Sequence, residues 1–231
     1  MGNIFIIGAS SGIGKQLALQ LAAKGHQVYG TYNTKTEIEA TAGLHWHHMN
    51  VMEPNIDVSF LPDEIHGFVY CPGAIVLKPF ARIKAEEYLE DYKLQVLGAI
   101  THLQAVLPKM KAAGSASVVF FSTVAVQTGF NFHSVVSSSK GALEGLTRAL
   151  SAELAPTIRV NCVAPSITQT PLAANLLSTP EKVEANAQRH PLKTVGQAAD
   201  IANAAAFLLG NESSWMTGQI LHVDGGISTI K

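Results

Sequence analysis

Ile4-Phe-Ile-Ile7-Gly8-Ala-Ser-Ser-Gly12-Ile-Gly14 is a short apolar run that leads directly into three closely spaced glycines. The run Asn3–Ile7 predicts a buried strand, and apolar residues that recur every three to four positions predict a helix over Ile13–Lys24. Glycine in such a turn can adopt positive φ, and its bare backbone lets a pyrophosphate approach the free N–H groups of the helix start. The alternative is a plain strand-to-helix turn without a ligand. The residues predicted to hold the phosphates are Gly8, Ser10, Ser11, Gly12, Ile13 and Gly14.

Strand and helix patterns alternate along the rest of the chain. Further strands are predicted at His26–Thr31, Leu44–Val51, Ile65–Cys71, Ala116–Ser122, Ile158–Val163 and Gln219–Val223. Further helices are predicted at Ala85–Met110, Phe132–Leu154, Pro171–His190 and Gln197–Leu209. Such alternation predicts a doubly wound α/β fold of the Rossmann type, with about seven parallel strands and helices on both faces. The 231 residues fit one domain, residues 1–231, better than two.

The composition narrows the class of protein. Hydrophobic residues make up 47% and charged residues 14%, and the net charge is −1 without a basic run. Neither a nucleic-acid partner nor a membrane surface is therefore expected. No stretch resembles a secretory signal or reaches the ~20 apolar residues of a membrane span, so a cytoplasmic protein is predicted.

The cysteines and histidines do not form a predicted metal site. Cys71 and Cys162 end apolar strand-like runs, which favours buried free thiols in a reducing compartment. The cluster His45-Trp-His-His48 places His45 and His47 on one strand face and His48 on the other. A structural or interfacial role is predicted for it, with metal binding as the alternative.

The spacing Gly-x-x-x-Gly-x-Gly resembles that of the short-chain dehydrogenase/reductase family. The resemblance extends over nearly the whole chain, through Lys140-Gly-Ala-Leu, Arg159-Val-Asn161, Thr170-Pro171 and Asp224-Gly-Gly226. It implies an NAD(P)-dependent oxidoreductase that acts on a small carbonyl or alcohol. It also implies a homodimer or a homotetramer.

The family's catalytic residues are matched only in part. Thr123 lies 13 residues before position 136, which is the family's spacing from catalytic serine to tyrosine, but Val136 stands where the tyrosine is expected. Lys140 matches the family lysine, which binds the nicotinamide ribose and lowers the pKa of the phenol. Gln95 replaces the asparagine that precedes a glycine by three residues and orders a proton relay.

A valine cannot donate a proton, so three functions stay open. The first is an oxidoreductase with another donor: His133, Thr123, Ser134, Ser137 or a bound water. Histidine is the residue type that most readily exchanges a proton near neutral pH, and His133 lies about two helical turns before Lys140, although it also suits a helix start. The second is a cofactor-binding sensor or scaffold without hydride chemistry. The third is a lyase or an epimerase on the same fold.

The end of the second predicted strand bears on the choice of cofactor. No acidic residue appears there before Glu37, so nothing repels the 2′-phosphate of NADP. Thr31, Asn33 and Thr34 can hydrogen-bond that phosphate, and Lys35 can pair with it. NADP is therefore favoured and NAD is possible. By the resemblance, the remaining cofactor-binding residues are Asn50, Val51, Cys71, Pro72, Gly73, Pro165 and Ser166.

Overall fold

The computed structural model describes residues 1–34 and 40–230. Seven parallel strands form one sheet: β1 (Asn3–Ile7), β2 (Gln27–Tyr32), β3 (Leu44–His48), β4 (Gly67–Tyr70), β5 (Ala116–Phe121), β6 (Ile158–Pro165) and β9 (Ile220–Val223). Their order across the sheet is β3-β2-β1-β4-β5-β6-β9. Two short strands, β7 (Thr168–Gln169) and β8 (Gly196–Gln197), pair with each other apart from this sheet. The predicted doubly wound α/β fold is confirmed.

Helices cover both faces of the sheet. They are α1 (Gly12–Ala23), α2 (Ala85–Tyr92), α3 (Gly98–Ala112), α4 (Ala125–Thr128), α5 (Ser134–Leu154), α6 (Pro180–Gln188) and α7 (Ala198–Leu209). A 3-10 segment, Pro171–Leu177, precedes α6. Among the described residues, no helix has both the length and the apolar character needed to cross a membrane.

The core has two layers, as the alternation of side chains along β1 illustrates. Phe5 and Ile7 pack on the face covered by α3 and α5, while Ile4 and Ile6 pack on the face covered by α1 and α7. All four side chains are buried. A parallel strand buried on both faces has no polar side to present, which is why this run is continuously apolar.

The predicted helix Ala85–Met110 is interrupted. A π-helical turn, Lys93–Leu97, separates α2 from α3. The Tyr70 hydroxyl donates a 2.6 Å hydrogen bond to the Leu94 carbonyl oxygen within this turn. Gly98 leaves room for the phenol, because a Cβ there would lie 2.2 Å from Tyr70 Oη. The prediction of one continuous helix was wrong because this contact with β4 is not visible in local periodicity.

The carboxyl ends of β5 and β6 are joined beyond the strands themselves. Phe121 is in register with Val163, and the Ser122 N–H donates to the Val163 carbonyl oxygen at 2.8 Å. The Val124 N–H then donates to the Pro165 carbonyl oxygen at 3.1 Å. The loops that follow the two strands therefore begin side by side at one edge of the sheet.

Candidate active site

A cleft of about 540 Å³ runs along the carboxyl edge of the sheet. This is where open α/β sheets bind their ligands. Its walls include most of the residues that the sequence singled out: Gly8, Ser10, Ser11, Gly12, Ile13, Gly14, Thr31, Asn33, Val51, Cys71, Pro72, Gly73, Gln95, Thr123, His133, Lys140, Pro165 and Ser166.

The glycine-rich turn between β1 and α1 has the geometry of a phosphate cradle. Gly8 and Gly12 have φ of 79° and 52°, which a side chain would strain. A Cβ on Gly14 would lie 2.3 Å from the Gly8 carbonyl oxygen, so α1 packs against the turn without space for a methyl group. The Thr31 hydroxyl oxygen accepts the Gly8 N–H at 3.1 Å and holds the turn to β2.

The start of α1 opens into the cleft without a competing anion. Ser11 is the N-cap residue and its side chain does not cap the helix, while the first turn carries no acidic residue. The N–H groups of a first helical turn lack partners within the helix, and the helix dipole makes this end positive. The turn and the helix start therefore fit a pyrophosphate.

The β2 and β3 end of the cleft holds the residues expected to meet the nucleoside. Asn33 and Thr34 are exposed and line it, as does Val51. Lys35 lies outside the described residues. Asn50 does not line the cleft, because its side chain closes a turn by accepting the Met52 N–H at 3.1 Å and contacting Glu53.

Thr123, Val136 and Lys140 share the opposite end of the cleft. Thr123 follows β5, and its hydroxyl oxygen accepts the Ala125 N–H at 3.3 Å. Val136 lies one turn before Lys140 on α5 and is 6% exposed. Ser122 is turned toward α5, where its hydroxyl donates to Glu144 at 2.7 Å. The hydroxyl available to the cleft after β5 is therefore that of Thr123.

Burial governs the Lys140 side chain. It lowers the pKa of the ammonium from its ordinary 10.5 to about 8, and the attraction of the Asp91 carboxylate only partly opposes this shift. Within the described part of the chain, Lys140 Nζ makes no ion pair or hydrogen bond. An ammonium held this way is ready to bind an acceptor that enters the cleft.

Gln95 is oriented by a carboxylate that the sequence analysis missed. Its Nε2 donates to Asp91 Oδ1 and Oδ2 at 2.7 and 2.8 Å, and both side chains are buried. Its Oε1 is buried and has no hydrogen-bond partner among the residues that the structure describes. A Cβ on Gly73 would lie 3.1 Å from Oε1 and 3.6 Å from Lys140 Nζ, so the amide oxygen and the ammonium face the same small space. The spacing of Asp91 and Gln95, four residues on one helical face, was the available signal.

The three alternative donors on or near α5 differ in position. His133 lines the cleft as the N-cap residue of α5, with Nδ1 2.7 Å from the Asn131 carbonyl oxygen. Ser137 donates to the Ala125 carbonyl oxygen at 3.2 Å, and Ser134 lies 2.9 Å from the Tyr88 hydroxyl. Neither serine is part of the cleft wall.

Arg189 and His190 also line the cleft, and the sequence offers no reason to single them out. Arg189 lies over the Phe130 ring, 5.1 Å from its centre. His190 is 2% exposed and contacts Ser166, with Oγ and Nε2 2.8 Å apart. No local pattern could have found this pair, because the partners are 24 residues apart.

The two thiols and two members of the histidine cluster lie in packing contacts within the fold. Cys71 and Cys162 are free, and burial raises the pKa of each to about 12. His45 stacks on Tyr29 and His47 stacks on Phe60. Among the described residues, no group of three histidine, cysteine or acidic side chains could hold a metal ion.

Comparison with known protein families gives a match over residues 8–228, to the family model described as enoyl-(acyl carrier protein) reductase. A tropinone reductase homolog of Arabidopsis thaliana is 40% identical over 157 residues, which are 68% of this chain and 60% of that one. An L-xylulose reductase of Bos taurus is 30% identical over 229 residues, which are 96% and 94% of the two chains.

Solved structures have the same fold. An actinorhodin polyketide ketoreductase variant with NADPH matches with a TM-score of 0.91 at 25% identity. The match covers 99% of this chain and 97% of that one.

Proposed function

The chain belongs to the short-chain dehydrogenase/reductase family, and on that premise we propose that it is an NADP-dependent oxidoreductase of a small carbonyl or alcohol. The observation that carries the proposal is the single cleft that joins the glycine cradle of α1 to Thr123 and Lys140. Transfer of a hydride to a small substrate requires a nucleotide site next to a polar, partly desolvated centre. The cleft offers the first at one end and the second at the other.

The preference for NADP rests on the end of β2. Asn33 and Thr34 offer hydrogen-bond donors at the cleft wall, and the sequence carries no carboxylate there before Glu37. A carboxylate at this position would bind the ribose hydroxyls of NAD and repel a 2′-phosphate. The solved ketoreductase with NADPH supports the same choice.

The protein's own residues divide the work around the reacting centre. The bound nicotinamide would supply or accept the hydride. Lys140 would hold the ribose hydroxyls next to it, and Gln95 Oε1 would accept a hydrogen bond from the ammonium or from a water. Thr123 would orient the substrate oxygen through its hydroxyl, in the role of the family's serine.

We infer that Val136 occupies the position of the family's tyrosine, so the proton must come from another group. Val136 supports this inference by its place on α5, four residues before Lys140 and at the cleft wall. Of the proton donors suggested by the sequence, His133 and Thr123 remain candidates, because the side chains of both line the cleft. Losing one general acid costs about 10²–10⁴ in rate, which still leaves the contribution of positioning.

The second candidate function is a nucleotide-binding sensor or scaffold. Val136 favours it, because an apolar side chain at the reacting end of the cleft removes the usual acid. The predicted homodimer or homotetramer would serve either function, and light scattering on the purified protein measures its mass.

Transfer of deuterium separates the two functions. The protein is incubated with NADPH that carries deuterium at both hydrogen positions of nicotinamide C4, and with benzaldehyde or diacetyl. Deuterium on the carbinol carbon of the product, lost in Lys140→Met and kept in the exposed-lysine control Lys24→Met, supports the oxidoreductase. NADPH binding without deuterium transfer to either carbonyl favours the sensor.

A further inference from the structure

We propose that Ser166 and His190 form the proton-transfer pair of this site, with the Ser166 hydroxyl contacting the substrate oxygen and His190 acting through it. The proposal rests on the proposed oxidoreductase function and names the group that does the work of the missing phenol. The resemblance to the family had suggested only a cofactor contact for Ser166.

Hydrogen bonds define the state of the imidazole. His190 Nδ1 lies 2.8 Å from the Asn186 carbonyl oxygen, which can only accept, so Nδ1 carries a proton. In the neutral ring Nε2 is then the acceptor, and it lies 2.8 Å from Ser166 Oγ. The serine hydroxyl therefore donates to a base that a third group orients, which is the arrangement of an activated hydroxyl.

The pair lies at the reacting end of the cleft. Ser166 follows β6 directly, and the carbonyl oxygen of the preceding Pro165 accepts the Val124 N–H at 3.1 Å. Val124 is the residue after Thr123, so Ser166 and Thr123 are set side by side by the β5 and β6 ladder. Both members of the pair line the same cleft as Val136 and Lys140.

The end of α6 orients the His190 ring and shields it from solvent. His190 lies two residues after the end of α6, and its N–H and Nδ1 both meet carbonyl oxygens of the last turn of that helix, those of Ala187 and Asn186. The carboxyl end of a helix stabilises a cation. With 2% of its surface exposed, the ring is shielded from bulk water, and its Nε2 faces the Ser166 hydroxyl.

With this pair, the protons and electrons of the carbonyl reduction balance. The carbonyl carbon gains a hydride from the reduced nicotinamide, and the electron pair of the C=O π bond moves to oxygen. For the reduction His190 starts as the imidazolium, so that Nε2–H donates to Ser166 Oγ and the Ser166 hydroxyl donates to the substrate oxygen. That oxygen takes the hydroxyl proton of Ser166, and Ser166 Oγ takes the Nε2 proton of His190. His190 ends neutral and regains a proton from water after product release. Oxidation of the alcohol runs the same transfers in reverse.

A purely structural role for His190, holding α6 to the end of β6, makes different predictions. His190→Gln keeps a side chain that can hydrogen-bond Ser166 but cannot take up and release a proton. The variant therefore preserves the structural contact with Ser166 and abolishes proton transfer through residue 190. Ser166→Ala removes the hydroxyl itself. Matched controls are His45→Gln on the exposed face of β3 and Ser138→Ala on the exposed face of α5.

The test combines four readouts on the whole chain. Imidazole nitrogen shifts by NMR report the tautomer of His190 without turnover, and titration with NADPH reports cofactor binding. Steady-state reduction of benzaldehyde, diacetyl and 9,10-phenanthrenequinone gives kcat and KM. The same variants are then made in a Val136→Tyr background, in which the new phenol supplies the proton.

The relay predicts an Nδ1–H tautomer with an Nε2 shift that moves in Ser166→Ala. It predicts a kcat lowered about 10²- to 10⁴-fold in both variants, with KM and the NADPH Kd within about threefold. In the Val136→Tyr background the loss caused by His190→Gln should shrink to less than about tenfold.

Three results overturn the relay. The first is an Nε2-protonated neutral ring, and the second is a kcat that His190→Gln leaves unchanged. The third is an equal loss of kcat in the Val136→Tyr background, which assigns His190 to structure. A wild-type protein that binds NADPH but reduces none of the three carbonyls overturns the oxidoreductase proposal, and the relay falls with it.

Discussion

Asp91 fixes the orientation of the Gln95 amide, because both of its carboxylate oxygens accept from Gln95 Nε2, at 2.7 and 2.8 Å. A carboxylate can only accept hydrogen bonds, so the amide nitrogen must face Asp91 and the amide oxygen must face Lys140 and Gly73. The hydrogen bonds of this pair join α2 to the π-helical turn. They leave the amide oxygen of Gln95 as a hydrogen-bond acceptor in the floor of the cleft.

Asp91→Asn tests this orientation. The new amide nitrogen would face Gln95 Nε2, donor against donor, unless Gln95 flips and turns its nitrogen toward the Lys140 ammonium. We expect the free energy of unfolding to fall by about 1–3 kcal/mol, the cost of a spoiled buried hydrogen bond. Chemical denaturation measures it. Glu90→Gln, an exposed member of a pair with Lys93, should change it by less than about 0.5 kcal/mol. Equal effects of the two variants would refute the assigned orientation.

Lys140→Met should make the free protein more stable and a weaker binder of NADPH. Folding lowers the pKa of Lys140 from 10.5 to about 8, so between these pH values the unfolded chain binds more protons than the folded one. The free energy of unfolding therefore rises with pH over that range, and below pH 8 the full cost of the buried charge remains. At pH 7 we expect the variant to gain roughly 1–3 kcal/mol and to lose this pH dependence. The NADPH Kd should rise about tenfold or more. A less stable variant would show that the ammonium is not destabilising.

Val136→Tyr should create or raise carbonyl reductase activity. The phenol would stand one helical turn before the Lys140 ammonium, which favours its anion and lowers its pKa. We expect kcat to rise about tenfold or more, within the usual range for a general acid. Val136→Phe provides the ring without the hydroxyl and should show no gain. The same rate in both variants would mean that the hydroxyl takes no part.

Gly14→Ala and Gly145→Ala compare two helical glycines. A Cβ on Gly14 would meet the Gly8 carbonyl oxygen at 2.3 Å, whereas a Cβ on Gly145 meets nothing within 4 Å. The first variant should be destabilised by more than about 1 kcal/mol and should lose nucleotide binding. The second should gain roughly 0.5–1 kcal/mol, because alanine favours a helix. Thermal unfolding measures both, and a tolerated Gly14→Ala would contradict the packed glycine turn.

The sequence predicts the fold well because the determining signals are local. Asn3–Ile7 is a strand with the predicted bounds, and α1 begins one residue before the predicted start. The π-helical turn at Lys93–Leu97 escaped prediction, since its cause is the long-range contact of Tyr70 with Leu94. The helical periodicity of the apolar residues in this segment is the same with or without that contact.

The cleft residues were predictable wherever a strand end or a motif marked them, as at Thr123 and Lys140. Asn50 was expected in the cleft wall but does not line it, because its side chain accepts the Met52 N–H within its own turn. His190 meets Ser166 only through the path of the chain between β6 and α6. Pairings of that kind depend on tertiary structure, which spacing along one sequence does not carry.

Calorimetric titration of the purified protein with NADPH and with NADH is the most direct test of a dinucleotide cleft built from the glycine turn and Lys140. We predict that NADPH binds at one site per chain and at least about tenfold more tightly than NADH, because Asn33 and Thr34 can accommodate the 2′-phosphate. Binding of neither nucleotide would contradict the assignment of the cleft and the oxidoreductase function together.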